Sequence, residues 1–568
     1  MLNLVIFSTC VAIVVCNFAV HETPQFPSSY QVKGYVELPY AELKEDFQFW
    51  VLSNDTFQGS RLEWYNGLDI VIDQPQSGSF GTTYQVSYTT LTKNGNTVRS
   101  CFEVYGSNHY PVKANSVLPD LEGFTYGGTV VKDGLQVDMM FMKEQKGGKE
   151  NSYKFYYTMD QNKVAVPVSY EFLGYDKLLG SHYDKYEIVY SVYTSEEISV
   201  AVFDIGTIVD ESTCGDFPGP GASSVEHQIM LNPMHDLLRT SRYEDAHAQF
   251  ASAFGKQYDN EFEKRRAGIN YMKNLRLIHS RNRQGKKYKL AVNFMADMDQ
   301  DDRKVYLGLR KKNDRRKPTG LKVGPKDFTK QQMDSVPEYL DWRLAGAVTQ
   351  VKDQAFCGSC WSFGTTGTLE GAYFLKYGHL VRLSQQNLMD CSWEQGNNGC
   401  DGGEDWRSYE YIQSQMGGLM TEDDYGQYLG QNGKCHFNSS ENIINIDSYA
   451  FVTGKQEKTV KTALNIHGPL SVGIDASLDS FSFYSHGIYD DPECKNALDD
   501  LDHSVLLVGY GNLGDTSYWL VKNSWSTYWG NLGYVTFATE GNVCGVMTQP
   551  SYVTLANSAK KFQGEKEV

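Results

Sequence analysis

Positive charge is scarce in this chain. Its 52 Lys and Arg face 69 Asp and Glu, a net charge of −17 over 568 residues. That deficit argues against a nucleic-acid partner, because holding a phosphate backbone takes clustered Lys and Arg. Long apolar runs are scarce as well. Beyond residue 20 no stretch carries enough consecutive apolar residues to span a bilayer. Residues 2–20, LNLVIFSTCVAIVVCNFAV, are the exception and contain no charge at all. Such a run at the N-terminus is a signal peptide or a membrane anchor. It lacks the basic n-region but is read here as a signal peptide over 1–19, which leaves no membrane partner once it is removed. A second C-x-x-C is also missing, so Cys357-x-x-Cys360 stands alone.

Three textures succeed one another. Residues 20–230 are rich in Tyr, Phe, Val and Thr and broken by short polar turns such as Lys93-Asn-Gly-Asn. Asn-Gly between alternating runs signals a hairpin, so this part is expected to be a mostly antiparallel β domain. Cys101 and Cys214 are its only thiols and are expected to pair, and Cys214-Gly-Asp-Phe-Pro-Gly-Pro-Gly reads as a closing linker. Residues 236–305 are charged and helical in period, with Ala267, Tyr271, Asn274, Leu275 and Ile278 at helical spacing. The run Arg310-Lys-Lys-Asn-Asp-Arg-Arg-Lys317 lies in a basic linker and processing region, 306–335. A basic run is a solvated loop by default, but between two textures it also suits a protease-sensitive linker. Residues 336–556 turn to Gly, Trp and Cys, and 557–568 form a loose tail.

The chemistry gathers in the last third. Gln354-Ala-Phe-Cys357-Gly-Ser-Cys360-Trp361 precedes His503 by 143 residues and Asn523 by 163, counted from Cys360. A lone C-x-x-C also fits a redox pair or half a zinc site. Cys-Gly-Ser-Cys-Trp with distant His and Asn instead matches the known papain-type signature. The residue types suit that chemistry. A thiol near pKa 8.5 needs help to ionise, a neighbouring imidazolium supplies it, and a helix opening at Cys360 would add its N-terminal dipole, although the glycines of 364–371 weaken that helix by propensity. Asn523 can orient the His503 ring, and Gln354 can donate to an oxyanion. His467 and His486 read as ordinary loop residues.

Over 336–556 the chain resembles the cathepsin L-like branch of the papain family. Pro337-Glu-Tyr-Leu-Asp-Trp-Arg343, Cys400-Asp-Gly402-Gly403 and Tyr518-Trp-Leu-Val-Lys-Asn-Ser-Trp525 carry the likeness. The resemblance implies an α+β domain with a helical left lobe and a β-barrel right lobe, and a cysteine endopeptidase made as a zymogen without cofactor or metal. It implies disulfides Cys357–Cys400, Cys391–Cys435 and Cys494–Cys544. Eleven cysteines less Cys10 and Cys16 leave nine, so Cys360 is then the unpaired thiol. Substrate-binding positions carried over are Gly402, Gly403, Glu404, Asp405, Gly473, Leu501, Asp502, Trp525 and Gln549. Relatives that prefer bulky apolar P2 residues usually carry an apolar or aromatic residue where Glu404 and Asp405 stand. Two carboxylates beside the S2 pocket favour a basic or polar P2 residue, unless both face solvent.

Residues 236–305 resemble the family's inhibitory propeptide. Glu263, Tyr271, Asn274, Ile278 and Asn282 follow its helix motif, with Ala267 where Arg is usual, and Ala291-Val-Asn-Phe-Met-Ala-Asp297 is a degraded form of the next motif. A plain amphipathic helix pair is the bland alternative. The resemblance implies a segment lying backwards through the cleft and removed as pH falls, a release expected to follow from paired carboxylates losing charge. The layout of a β domain before a propeptide, with Tyr30-Gln-Val-Lys-Gly-Tyr-Val-Glu-Leu and Ser60-Arg-Leu-Glu-Trp-Tyr-Asn-Gly, resembles the two-chain insect haemocyte proteases, and the basic linker fits release of the β domain as a separate chain or as an associated N-terminal chain. The implied partners are therefore protein and peptide substrates, the chain's own propeptide and that N-terminal chain. Asn54-Asp-Thr and Asn438-Ser-Ser are glycosylation acceptors, in keeping with the secretory pathway and a lysosome, granule or extracellular destination. The competing class is a binding protein built on the β domain with a vestigial peptidase.

Overall fold

The computed structural model describes residues 23–90, 97–216, 225–238, 241–309, 317–414 and 417–557. The expected signal peptide, the Asn94-Gly95 turn, most of the linker after Cys214, the basic run up to Arg316 and nearly all of the tail lie outside these residues.

The β-rich texture folds into a twelve-stranded sheet. Its centre is the first strand, Tyr30–Leu38, which pairs antiparallel with Leu43–Ser53 on one side and with Ser181–Thr194 on the other. Two meanders run outward from it. One ends at Thr97–Tyr105, where Gly215–Asp216 adds a short parallel strand beside the Cys101–Cys214 disulfide. The other ends at Thr125–Lys132. Alternation along the strands aims Val32, Phe49, Phe155, Tyr170 and Ile188 into one core. It also aims a charge inward, since Glu45 shares the buried face of Leu43, Phe47 and Phe49.

Packing does not break at the expected boundary between 230 and 236. Ile229, from helix Val225–Leu231, enters the core shared with the C-terminal part. Met234, Leu237 and Leu238, from the next helix, enter the core of the β sheet. The chain is laced between the two bodies here.

Helix Glu261–Arg283 begins at Asn260, whose side chain accepts the Glu263 amide at 3.0 Å. The two asparagines of its motif anchor the backbone on its C-terminal side. Asn274 donates to the Ala296 and Met298 carbonyls at 2.8 and 2.9 Å. Asn282 both donates to and accepts from the backbone of Leu290, which holds strand Tyr288–Leu290 in place. Ala267 is buried at the position where Arg is usual.

The last third contains a second, ten-stranded sheet and a helical lobe. The sheet is completed at both ends by strands outside 336–556. Tyr288–Leu290 pairs with Tyr484–Tyr489, and Leu321–Val323 pairs with Ile446–Val452. Helix Cys360–Tyr377 joins the lobes. Its Gly364, Gly367 and Gly371 lie on one face at spacings of three and four. A Cβ on them would run into Ser504, Leu506 and Pro469 respectively. These glycines cost helix propensity but let the helix lie close against the strand that begins at His503.

Candidate active site

The Cys360 thiol sits at the N-terminus of its helix, fully buried, and is the free cysteine among the described residues. The other eight are joined as Cys101–Cys214, Cys357–Cys400, Cys391–Cys435 and Cys494–Cys544. The backbone amide of Ser504, the residue after His503, donates to Cys360 Sγ at 3.4 Å. His503 Nε2 meets Asn523 Oδ1 at 2.7 Å, and the backbone of Tyr306 also faces the ring. The Trp525 indole covers the imidazole, with centroids 4.8 Å apart. Gln354 is held by Ser524, whose hydroxyl donates to Oε1 at 2.7 Å.

A backbone run from the preceding segment fills this site. Gln354 Nε2 donates to the carbonyl of Tyr306 at 3.0 Å. The Tyr306 ring stacks edge-on to Trp525 at 6.0 Å. Gly403 N–H donates to the Gly308 carbonyl, and Leu309 N–H donates to the Asp502 carbonyl, both at 2.9 Å. Leu309 then packs with Leu501 and Cys360 and lies against Gly473. Gly308 has to be glycine, because a Cβ there would overlap the backbone of Gly358.

This cover changes the electrostatics. Burial pushes the Cys360 thiol up to about 12, despite the Ser504 and Gly308 amides that face it. Burial also pushes His503 down to about 4, against its bond to Asn523. Thiol and imidazole are thus both held neutral. Burial raises Asp502 to about 7, with Asp475 adding repulsion.

The expected substrate-binding positions divide. Gly403, Gly473, Leu501, Asp502 and Trp525 touch the bound segment or the ring beside the thiol. Gly402 has a left-handed φ of 104° and turns the loop that presents Gly403. Glu404 is buried, and its amide donates to Asn397 Oδ1 at 2.9 Å. Asp405 accepts from Ser504 Oγ at 3.0 Å and from Ser471 Oγ. Its carboxylate therefore faces inward, towards Cys360. Gln549 is half-buried. Asn54 and Asn438 sit in turns, their side chains accepting from Thr56 and Ser440. His467 and His486 are not in loops. His467 ends helix Glu457–His467 and stacks on Tyr552 at 3.8 Å, and His486 lies within strand Tyr484–Tyr489.

Comparisons with known proteins agree with this arrangement. Residues 336–554 match the model of the papain family cysteine proteases, and 247–302 match the cathepsin propeptide inhibitor domain. A cathepsin L-like peptidase of Aedes aegypti is 43% identical over 305 residues, 52% of this chain and 89% of the relative. Cathepsin L of Sarcophaga peregrina is 43% identical over 309 residues, 53% of this chain and 89% of the relative. Among solved structures, a digestive procathepsin L2 proteinase from Tenebrio molitor larval midgut shares 31% identity with a TM-score of 0.50, covering 55% of this chain and 100% of that one. The chain belongs to the papain family of cysteine proteases. Within that family it is a cathepsin L-like cysteine peptidase that carries its inhibitory propeptide and an additional N-terminal sheet.

The fit at Gly308 gives a direct test. Gly308→Ala should unseat the covering run, by an overpacking cost of about 1–3 kcal/mol. Peptidase activity of the uncut full-length chain at neutral pH should rise about tenfold or more. Unchanged latency would show that the backbone at 308 has room to shift.

Proposed function

We propose that the chain is the zymogen of an endopeptidase in which Cys360 is the nucleophile, His503 the general base and acid, Asn523 the group that orients His503, and Gln354 an oxyanion donor. The observation that carries this reading is the Tyr306 carbonyl on Gln354 Nε2 beside the buried thiol. A peptide oxygen already occupies the place where a developing oxyanion would be stabilised. The covering run is not cut because it runs the wrong way. Its N-terminal end lies at Trp525 and Gln354 and its C-terminal end at Gly473 and Leu501.

With the cover gone, water returns and the burial that holds both groups neutral is relieved. His503 takes the thiol proton, and the thiolate attacks the scissile carbonyl carbon. The tetrahedral oxygen accepts from Gln354. Collapse breaks the C–N bond, His503 protonates the leaving amine, and an acyl-enzyme remains on Cys360. Water activated by His503 then releases the acid and restores the thiol. An epoxide-type thiol inhibitor applied after acid conversion should label Cys360 and abolish activity. Label elsewhere, or none together with no peptidase activity near pH 5, overturns the assignment.

Acid release follows the histidines before the carboxylates. Burial raises Asp176, but the Leu179 and Leu178 amides and Arg265 outweigh it and hold the carboxyl below its ordinary 3.8. Its contribution is lost only as pH falls below about 4. His247 is pushed below its ordinary 6.5 by burial, with Lys264 and Lys256 adding to the shift and Asp297 opposing it. Its ring packs on Phe250, Tyr258 and Tyr271 and bonds to the Tyr258 hydroxyl at 2.9 Å. Unpacking of these rings lets His247 take up a proton below its ordinary 6.5, so acid loosens this helix pair, by up to about 1.4 kcal/mol per pH unit. Burial of Asp502 works in the opposite sense. His247→Gln should cut the ratio of conversion rates at pH 5.5 and pH 7 several-fold. An unchanged ratio assigns the acid response to other groups.

Specificity follows from the pocket entered by Leu309. Leu501 and Gly473 give it an apolar wall, and the inward Asp405 bonds to Ser471 and Ser504 on the two strands that meet at Gly473. We infer acceptance of Arg or Lys at P2 beside Leu. A P2-scanned peptide library on the mature enzyme should show Arg turned over better than Leu, with the preference lost in Asp405→Asn. Leu equal to or better than Arg would sink this reading. Entry of the disulfide-bonded chain into lysosomes, granules or the extracellular space fits the same function.

A further inference from the structure

The N-terminal sheet has no place in the peptidase chemistry, yet it buries charged groups at one surface. Asp184 pairs with Arg276 through two bonds of 2.8 and 3.0 Å, and the two side chains are 5% and 7% exposed. Glu45 pairs with Arg283 at 3.2 Å, each side chain 5% exposed. Asp176, fully buried, pairs with Arg265 at 3.0 Å. All three arginines belong to helix Glu261–Arg283. At 100° per residue, Arg265, Arg276, Ser280 and Arg283 fall on one face. Tyr271, Leu275 and Ile278, which enter the core shared with the peptidase, fall on another. The helix is thus gripped from two sides.

The grip is more than ionic. Ser280 Oγ lies 2.8 Å from the Tyr65 hydroxyl, and Gln284 Nε2 donates to the same hydroxyl at 3.2 Å. Arg283 lies over Trp64 and Arg276 over Tyr186. The Tyr186 hydroxyl donates to the Leu237 carbonyl at 2.5 Å. Met234, Leu237 and Leu238 anchor the start of the propeptide in the core of the sheet. Strand Tyr288–Leu290, at the other end of the helix, packs on strand Thr82–Thr90 while pairing with Tyr484–Tyr489.

We propose that the N-terminal sheet is a holdfast for the propeptide: its partner is the arginine face of helix Glu261–Arg283, and it keeps the propeptide seated in the cleft after the chain has been cut behind residue 309. This rests on the zymogen reading. A free propeptide severed from its enzyme loses the advantage of an intramolecular tether. Here the severed piece carries a large body whose buried carboxylates are matched to it, and removal of one partner from such a pair leaves a charge uncompensated. Cutting alone then gives a two-chain, latent complex.

The test uses the full chain, cut in the basic run 310–317 by limited trypsin at pH 7.5. In a Cys360→Ser background the nicked chain should elute as one species holding both fragments, with the cut sites fixed by mass spectrometry. This arm needs no activity and stands apart from the peptidase assignment. In the active chain, nicking should leave activity latent. Arg276→Gln and Asp184→Asn should each speed its appearance tenfold or more, and the double variant should add little to either, because both remove one interaction. These substitutions lie outside 336–557, so equal final activity after acid conversion shows that the peptidase folded. Separation of the nicked fragments at pH 7.5, or single variants that stay as latent as the parent, overturns the proposal.

Discussion

The site depends on the passage of four residues, Tyr306 to Leu309, over a thiol. The passage is possible because Gly308 has no side chain and Gly358 lies directly beneath it. From that contact the other features of the site follow. The Tyr306 carbonyl reaches Gln354, the Gly308 carbonyl reaches Gly403, and Leu309 fills the pocket lined by Leu501 and Gly473. The same passage excludes water from Cys360 and His503 and keeps both uncharged. Inhibition is therefore electrostatic as well as steric: the cover blocks the cleft and also withholds the solvent that an ion pair needs.

Much of the site is legible in the sequence, because its chemistry lies in short phrases. Cys360 with Gln354 before it, and His503 and Asn523 after it, can be marked from spacing and residue type, and the structure brings these four side chains to one place. The strands of the N-terminal sheet are legible as alternating runs joined by turns. Pairing across distance is not legible. Arg265, Arg276 and Arg283 look like the solvated side of a charged helix, and their acids lie up to 238 residues away. The strand holds one clue: Glu45 falls on the inward beat of an otherwise apolar alternation, where an acid calls for a partner.

Glycine misleads in the same manner. Gly364, Gly367 and Gly371 read as weak points of a helix, because propensity counts a residue by itself. In the fold they are the face that lets helix Cys360–Tyr377 approach the strand carrying His503. His467 and His486, read as loop residues, belong to a helix end and a strand, since a single histidine carries no periodicity of its own. Ala267, in place of an arginine, leaves the helix intact because the anchoring contacts come from Asn274 and Asn282 instead.

The two strands that finish the peptidase sheet, Tyr288–Leu290 and Leu321–Val323, both lie outside the domain they finish. On the proposed zymogen reading, maturation removes the hems of a woven edge. The enzyme that remains shows two rows of open backbone donors and acceptors, on Tyr484–Tyr489 and on Ile446–Val452, the kind of border that other chains can join. Assembly and use are in this way separated in time. The sheet is laid down while its borders are sewn, and it works with them unpicked, so its persistence rests more on the barrier to unfolding than on being able to form again.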